Sequence, residues 1–325
     1  KDFGRTVRAF LVEARFIKKL LRTCLGLNPA ASFLVLACGT ERNNQTTNWS
    51  ANSIEKYAGI NHDRAKKAIK LLLDAGLVEI DSTSSKPCYT LQISEEVIWL
   101  PNSIVKPLAK ENSPLTRVRQ VQDVMLLRLY IDLYYSQNLP ADGGFSRYVY
   151  YLGFDKATHA SYGEYLFLAF RRGEHYVTWK TPITSVHKTE VSIEEPRVGE
   201  GPADALFLRM STLHSLGLLE MSVCLFESSS EDAEILFPVD GPMEDETKIR
   251  RYANEVAVQV LPEWKIDSDE SDYLVPVYKH QEKAQLYGIY RLRHRAQTEY
   301  TKAWLAILQK KIEYGLEHIS KVERA

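Results

Sequence analysis

Cysteine is scarce in this chain. There are four in 325 residues, Cys24, Cys38, Cys88 and Cys224, and no two stand at the spacing of a metal-binding pair. The eight histidines are scattered as well, so neither a metal site nor a cofactor is expected. Isolated thiols suit a reducing compartment, and a cytoplasmic location is expected. No apolar run approaches the ~18 residues of a membrane-spanning helix, which argues against a membrane partner. Residues 1–25 lack both a continuous apolar core and a small-residue cleavage site, so they do not read as a signal peptide. The chain does not begin with Met, and the true N-terminus is expected upstream of Lys1 or trimmed away. Motifs of chemistry are missing too: no phosphate-binding Gly-x-x-x-x-Gly-Lys, no Gly-rich dinucleotide turn, no His-Glu-x-x-His and no Gly-x-Ser-x-Gly. Carboxylate pairs in a chain that is 26% charged carry little weight, and an enzyme is not expected.

Apolar residues make up 45% of the chain, enough for a sizeable core, and the length suggests two domains at ~150 residues each. The net charge of −1 hides an asymmetry. Residues 1–120 hold 18 Lys+Arg against 11 Asp+Glu, a net of +7, which leaves −8 for the rest. One part is suited to meet phosphate and the other is not.

Residues 3–25 show apolar positions at helical spacing, with Phe10, Leu11, Ala14, Ile17, Leu20 and Leu21 on one face and Arg5, Arg8, Arg15, Lys18, Lys19 and Arg22 on the others. A basic N-terminal helix over 1–27 is expected, its charged face either solvated or flanking a nucleic acid. Asn28-Pro29 reads as the cap and first position of a second helix that stops near Gly39. After a polar loop, Thr46 to Trp49 suits a short strand. Ser50 can cap a short helix holding Ile54, Tyr57 and Ala58, and Gly59 supplies a tight turn. Ile60 can plug the core and Asn61 can cap the next helix, 62–75, whose apolar face is Ala65, Ile69, Leu72 and Leu73. Gly76 ends that helix. Leu77 to Ile80 and Cys88 to Ile93 then form strands around a polar turn.

This order, carried by Ser53-Ile54-Glu55-Lys56-Tyr57-Ala58-Gly59-Ile60 and by Ala68 to Val78, resembles the winged helix-turn-helix superfamily over residues 28–93. The resemblance implies that helix 62–75 enters the major groove of duplex DNA. Asn61, His62, Arg64 and Lys67 would then face base edges, since Arg pairs with guanine and Asn with adenine. Lys66, Lys70 and Lys86, with Lys56 on the preceding helix, would meet phosphates. The Ser82–Lys86 turn would be the wing tip.

Residues 94–120 read as a connector, and 121–325 as a second, acidic domain. Its first helix runs from Val121 to Tyr135. Leu213 to Met221 echoes Leu72 to Ile80 at a constant offset of 141, which suggests a second winged helix interrupted by an insertion at 150–200. That insertion holds a hairpin, Tyr165–Phe170 and Tyr176–Trp179 around a turn at 171–174. Helix 203–216 has no lysine but carries Phe207, Leu208, Met210, Leu213 and Leu216, which suits contact with protein. Arg171 and Arg172, or Arg291, Arg293 and Arg295, could supply basic contacts there. The run Asp267 to Asp272 lacks the glycine and closing Glu of a calcium loop. A last helix, 293–321, has an apolar stripe of Tyr300, Trp304, Ile307, Leu308, Ile312, Leu316 and Ile319 that serves either a core or a dimer seam. The expected fold class is α+β, mainly helical, with two winged helices. Two such modules in one chain resemble plasmid and phage replication initiators, although the acidic second half departs from that pattern. A sequence-specific bacterial transcriptional regulator fits the charges equally well. From another class, a tandem winged-helix subunit of a chromosome-organising or mobile-element complex would bind protein instead. Double-stranded DNA is the expected partner, with a homodimer or another protein held by the second domain.

Overall fold

The computed structural model describes residues 9–13, 25–81, 87–92, 97–107, 111–137, 143–145, 147, 149–179, 181–189, 202–262, 273–296 and 298–325. In chain order the helices are α1 (Leu27–Cys38), α2 (Ala51–Ala58), α3 (His62–Asp74), α4 (Pro114–Gln120), α5 (Val124–Tyr135), α6 (Pro182–Thr189), α7 (Pro202–Ser215), α8 (Glu244–Val260) and α9 (Glu299–Glu323). The strands are β1 (Ala9–Glu13), β2 (Thr46–Thr47), β3 (Val78–Asp81), β4 (Cys88–Leu91), β5 (Val97–Pro101), β6 (Tyr150–Tyr162), β7 (Tyr165–Val177), β8 (Leu219–Phe226), β9 (Ile235–Asp240), β10 (Tyr273–Tyr278) and β11 (Gln285–Leu292).

Two compact units share the chain. The first comprises 1–136, 186–218 and 292–298, the second 137–185, 219–291 and 299–325. The division is therefore not a single cut at 121, because α5 and α7 both belong to the first unit. Charge divides with the units: the first holds 24 Lys+Arg and 18 Asp+Glu, a net of +6, and the second 17 and 24, a net of −7.

The first unit is organised around α1, which is buried from Pro29 to Cys38. A helix with no polar face must be surrounded. Asn28 does not cap it; the helix opens two residues earlier than expected, after Gly26 at φ 78°. β2, β4 and β3 form a three-stranded sheet in that order. The expected N-terminal helix is corrected over 9–13. That stretch is a strand, paired antiparallel with β5, and Phe10 and Val12 alternate inward at 2% and 0% exposure. A strand buries Phe10 and Val12 at a period of two in place of the helical stripe, and pairing with β5 supplies the backbone hydrogen bonds. The six arginines and lysines assigned to the helix face lie outside the described residues. The 94–120 connector is structured too, since it contains β5 and α4. In α7, Leu206, Met210 and Leu213 are buried, and only Leu208, at 56%, remains largely exposed among the side chains expected to meet protein. Arg209 Nε binds Asp123 Oδ2 at 2.7 Å, joining α7 to the cap of α5.

The second unit overturns the mainly helical expectation. It is built on a six-stranded antiparallel sheet of order β10-β7-β6-β11-β8-β9. α8 and α9 cover one face, burying Ile249, Ala253, Val256, Trp304, Leu308, Ile312 and Ile319 against Phe167, Val223, Leu225, Phe237 and Val275. The predicted hairpin is corrected as well. β7 runs unbroken from Tyr165 through Arg171 and Arg172, and the turn falls earlier, at Gly163-Glu164. Tyr165–Phe170 is a buried strand as expected, while the polar stretch 171–174, which suits a turn by composition, continues the same strand in pairing with β6. The second winged helix is also corrected. Gly217 does end α7, at φ 66°, but β8 and β9 then join the six-stranded sheet, so no separate three-stranded wing forms.

At the heart of this unit Arg291 Nη1 donates to Glu246 Oε1 at 2.6 Å, with both side chains at or below 2% exposure. Ser222 Oγ donates to the same carboxylate oxygen at 2.9 Å. The Arg291 guanidinium also lies 5.3 Å from the centre of the Trp304 ring. Arg291 is thus committed to the interior and is not a contact for phosphate. Breaking such a pair strands a buried charge, so Glu246→Leu should cost about 3–5 kcal/mol in urea unfolding. Adding Arg291→Met should restore most of the loss. An unchanged unfolding midpoint in the single variant would contradict the pairing.

Candidate nucleic-acid interface

α2 and α3 meet at a tight corner. Gly59 takes the left-handed conformation, φ 63° and ψ 27°, that ends α2. Ile60 is driven into the core at 1% exposure, and Asn61 Oδ1 accepts the Asp63 N–H at 3.0 Å to start α3. The corner is held from outside by α4. Ser113 Oγ and Thr116 Oγ1 both donate to the Tyr57 carbonyl, at 3.1 and 3.0 Å. Arg119 Nε donates to the Ala58 carbonyl at 2.7 Å and its Nη2 to Gly59 at 3.0 Å. The carbonyls a helix end leaves unpaired are satisfied here by side chains, and the cation also faces the negative end of the α2 dipole. Burial lowers the pKa of Arg119, with the nearby Arg64 charge adding to the effect. The same short helix serves a second helix end: Arg117 Nη1 donates to the Leu216 carbonyl, just past α7, at 2.6 Å. Burial, then the charges of Arg117 and Arg293, push the pKa of His294 down to about 4.

α3 buries Ala65, Ala68, Ile69 and Leu72 and turns its other side outward. Arg64, Lys66, Lys67 and Lys70 are all exposed, as is Asn61, while His62 is half-buried. At about 100° per residue, Lys66 and Lys70 lie on one flank of the helix with His62 behind them. Arg64 lies on the opposite flank, and Lys67 faces straight out. The flank of Lys66 and Lys70 borders a groove of about 310 Å³, whose other walls are Ser50–Asn52 and, from the hairpin, Pro87 and Tyr89. Lys56 is exposed on α2, its Nζ 5.0 Å from the centre of the Tyr57 ring, which itself stacks on Trp49 at 4.8 Å. Lys86 and the rest of the expected wing tip lie outside the described residues. Asp63 and Asp74 share the outward side, so the surface is mixed with a cationic excess.

Among the described residues, no ion pair engages Arg64, Lys66, Lys67 or Lys70. Three lysines on the acidic unit's helices behave differently. Lys248, Lys302 and Lys321 each pair with a carboxylate three or four residues before them, at 2.7 to 2.9 Å. No group of three or more metal-ligating side chains occurs among the described residues, and none of their helices is long and apolar enough to cross a membrane.

The sequence assignment did not include Ser113, Thr116 or Arg119. Ser113-Pro114 is a cap followed by proline, a helix-start signal that was available, and Ser113 Oγ does accept the Thr116 N–H at 3.2 Å. Nothing in the sequence, however, pairs that helix with the end of α2 across some sixty residues. Comparison with family models, with curated proteins and with solved structures finds no match.

Removing the Arg119 side chain leaves two carbonyls without their charged donor. Arg119→Ala should cost about 2 kcal/mol in the unfolding of the first unit, and amide exchange should quicken across 57–63. Unaltered exchange there would show that the corner stands without the brace.

Proposed function

We propose that this chain binds duplex DNA through residues 50–91, with α3 in the major groove and the β3–β4 hairpin beside it, in the manner of the winged-helix proteins it resembles. One observation carries the reading: four cations within seven positions project from a rigidly seated helix and none is drawn into an ion pair among the described residues, although Asp63 and Asp74 share its outward side. A solvated helix face normally interleaves charges into pairs, as Lys248 and Lys321 do on α8 and α9. The order of α1, β2, α2, α3, β3 and β4, with β4 central in the small sheet, is consistent with it. So is the net of +6 on the unit that bears α3. In this reading Asn61, Arg64 and Lys67 address base edges, with His62 at the rim. Lys56, Lys66, Lys70 and Lys86 hold phosphates. Such binding would suit a replication initiator or transcriptional regulator, and the reading assigns the chain neither catalysis nor a cofactor. The free thiols of Cys38, Cys88 and Cys224 suit a cytoplasmic setting.

The test is a salt series on random duplex DNA. Each neutralised phosphate releases counterions, so the logarithm of affinity should fall linearly with the logarithm of salt concentration. Lys66→Ala with Lys70→Ala should reduce that slope by about 2. A folded full-length sample that binds no duplex at low salt would refute the reading.

A homodimer held by the acidic unit is the second part of the reading, favoured by one feature of α9. Its core stripe leaves Tyr300, Ile307 and Tyr314 exposed at 72%, 39% and 43%, seven residues apart on one line. A heptad line of apolar side chains is what a helix offers to a second copy of itself. Light scattering should report a dimer, and Ile307→Lys should yield a monomer. A wild-type monomer at all concentrations would remove this part.

A further inference from the structure

Leu71 stands among charges. On α3 the outward stripe reads Arg64, Lys67, Leu71, Asp74, at intervals of three, four and three. Leu71 is 41% exposed, whereas Leu72, the next residue, is fully buried. The core face of α3 is complete without it, since Ala65, Ala68, Ile69 and Leu72 already fill that side. Lys67 and Lys70, within one turn of it, are exposed and make no ion pair among the described residues. An exposed apolar side chain with two unpaired lysines on its N-terminal side, and Asp74 on the other, suits a surface that is polyanionic overall yet shows an apolar group at one point. The major groove of DNA is such a surface. Phosphates line its walls, and the one apolar substituent on its floor is the 5-methyl group of thymine.

We propose that Leu71 reads thymine through that methyl group, so that the preferred sites carry a T·A pair opposite the second half of α3. The proposal rests on the duplex-DNA reading and refines it. Arg64 and Lys67 would position and discriminate by hydrogen bonds, while Leu71 would discriminate by excluding water from the methyl. Cytosine, which lacks the methyl, would be disfavoured at that pair.

The experiment uses the full chain. Duplexes of about 30 base pairs are enriched from a random pool by the wild-type protein and then synthesised with either thymine or deoxyuridine, which differ only by the methyl. Wild type should bind the uracil form about fourfold more weakly, the effect of one methyl-sized group removed from water. Leu71→Ala should bind both forms alike, at the affinity wild type shows for uracil. Its far-UV circular dichroism should be unchanged, because the side chain is not part of the core. Lys67→Ala should weaken both forms and keep their ratio. If no duplex can be enriched at low salt, the DNA reading itself fails. Should duplexes be enriched and wild type bind the two forms equally, the DNA reading stands and the role of Leu71 is overturned. A thymine preference that survives in Leu71→Ala overturns it as well.

Discussion

The arrangement of the first unit depends on how the C-terminal carbonyls of α2 are satisfied. A helix of eight residues ends with as many unpaired carbonyls as a long one and has little stability of its own to set against them. Ser113, Thr116 and Arg119 supply four donated bonds to Tyr57, Ala58 and Gly59. That brace holds the corner at Gly59, the corner sets the direction of α3, and α3 carries Arg64, Lys66, Lys67 and Lys70, which make no ion pair among the described residues. Arg117, two residues before Arg119, holds the end of α7 in the same way. One short helix therefore ties together segments far apart in sequence.

The second unit answers a different problem. Its sheet is roofed on one face by α8 and α9, and the cost of burying Glu246 and Arg291 is offset by pairing them and by the Ser222 hydroxyl. The pair is weak evidence of net stability, because desolvation opposes it, but it commits the sheet and α8 to one mutual register. The charge difference between the units, +6 against −7, gives each a different class of surface within an almost neutral chain. Long-range fields depend on such local sums and not on the total.

Local signals account for the parts that were legible. Gly59, Gly76 and Gly217 all take positive φ at the helix ends where the sequence places them, because glycine alone pays no steric cost there. The buried face of α3 follows from a 3.6-residue period, and the same period exposes Lys67 and Lys70. The β3–β4 pairing follows from two apolar runs around a polar turn. Sequence and structure part where a period is ambiguous or a partner is distant. Ala9–Glu13 suits either period, and only its pairing with β5 makes it a strand. Tyr165–Phe170 is the strand the sequence suggests, but the polar residues 171–174 continue it where a turn is expected, because β6 pairs along the whole of it.

The sequence by itself thus determined the turns, the caps and the faces of short helices, since those depend on residues a few positions apart. Tertiary structure alone decided that β8 and β9 extend a six-stranded sheet, because strand partners are chosen by backbone hydrogen bonding across scores of residues. It alone decided that Arg291 is an interior cation while Arg64 is a surface one. An arginine reads the same in either place until its neighbours are known: a buried carboxylate for Arg291, and solvent for Arg64.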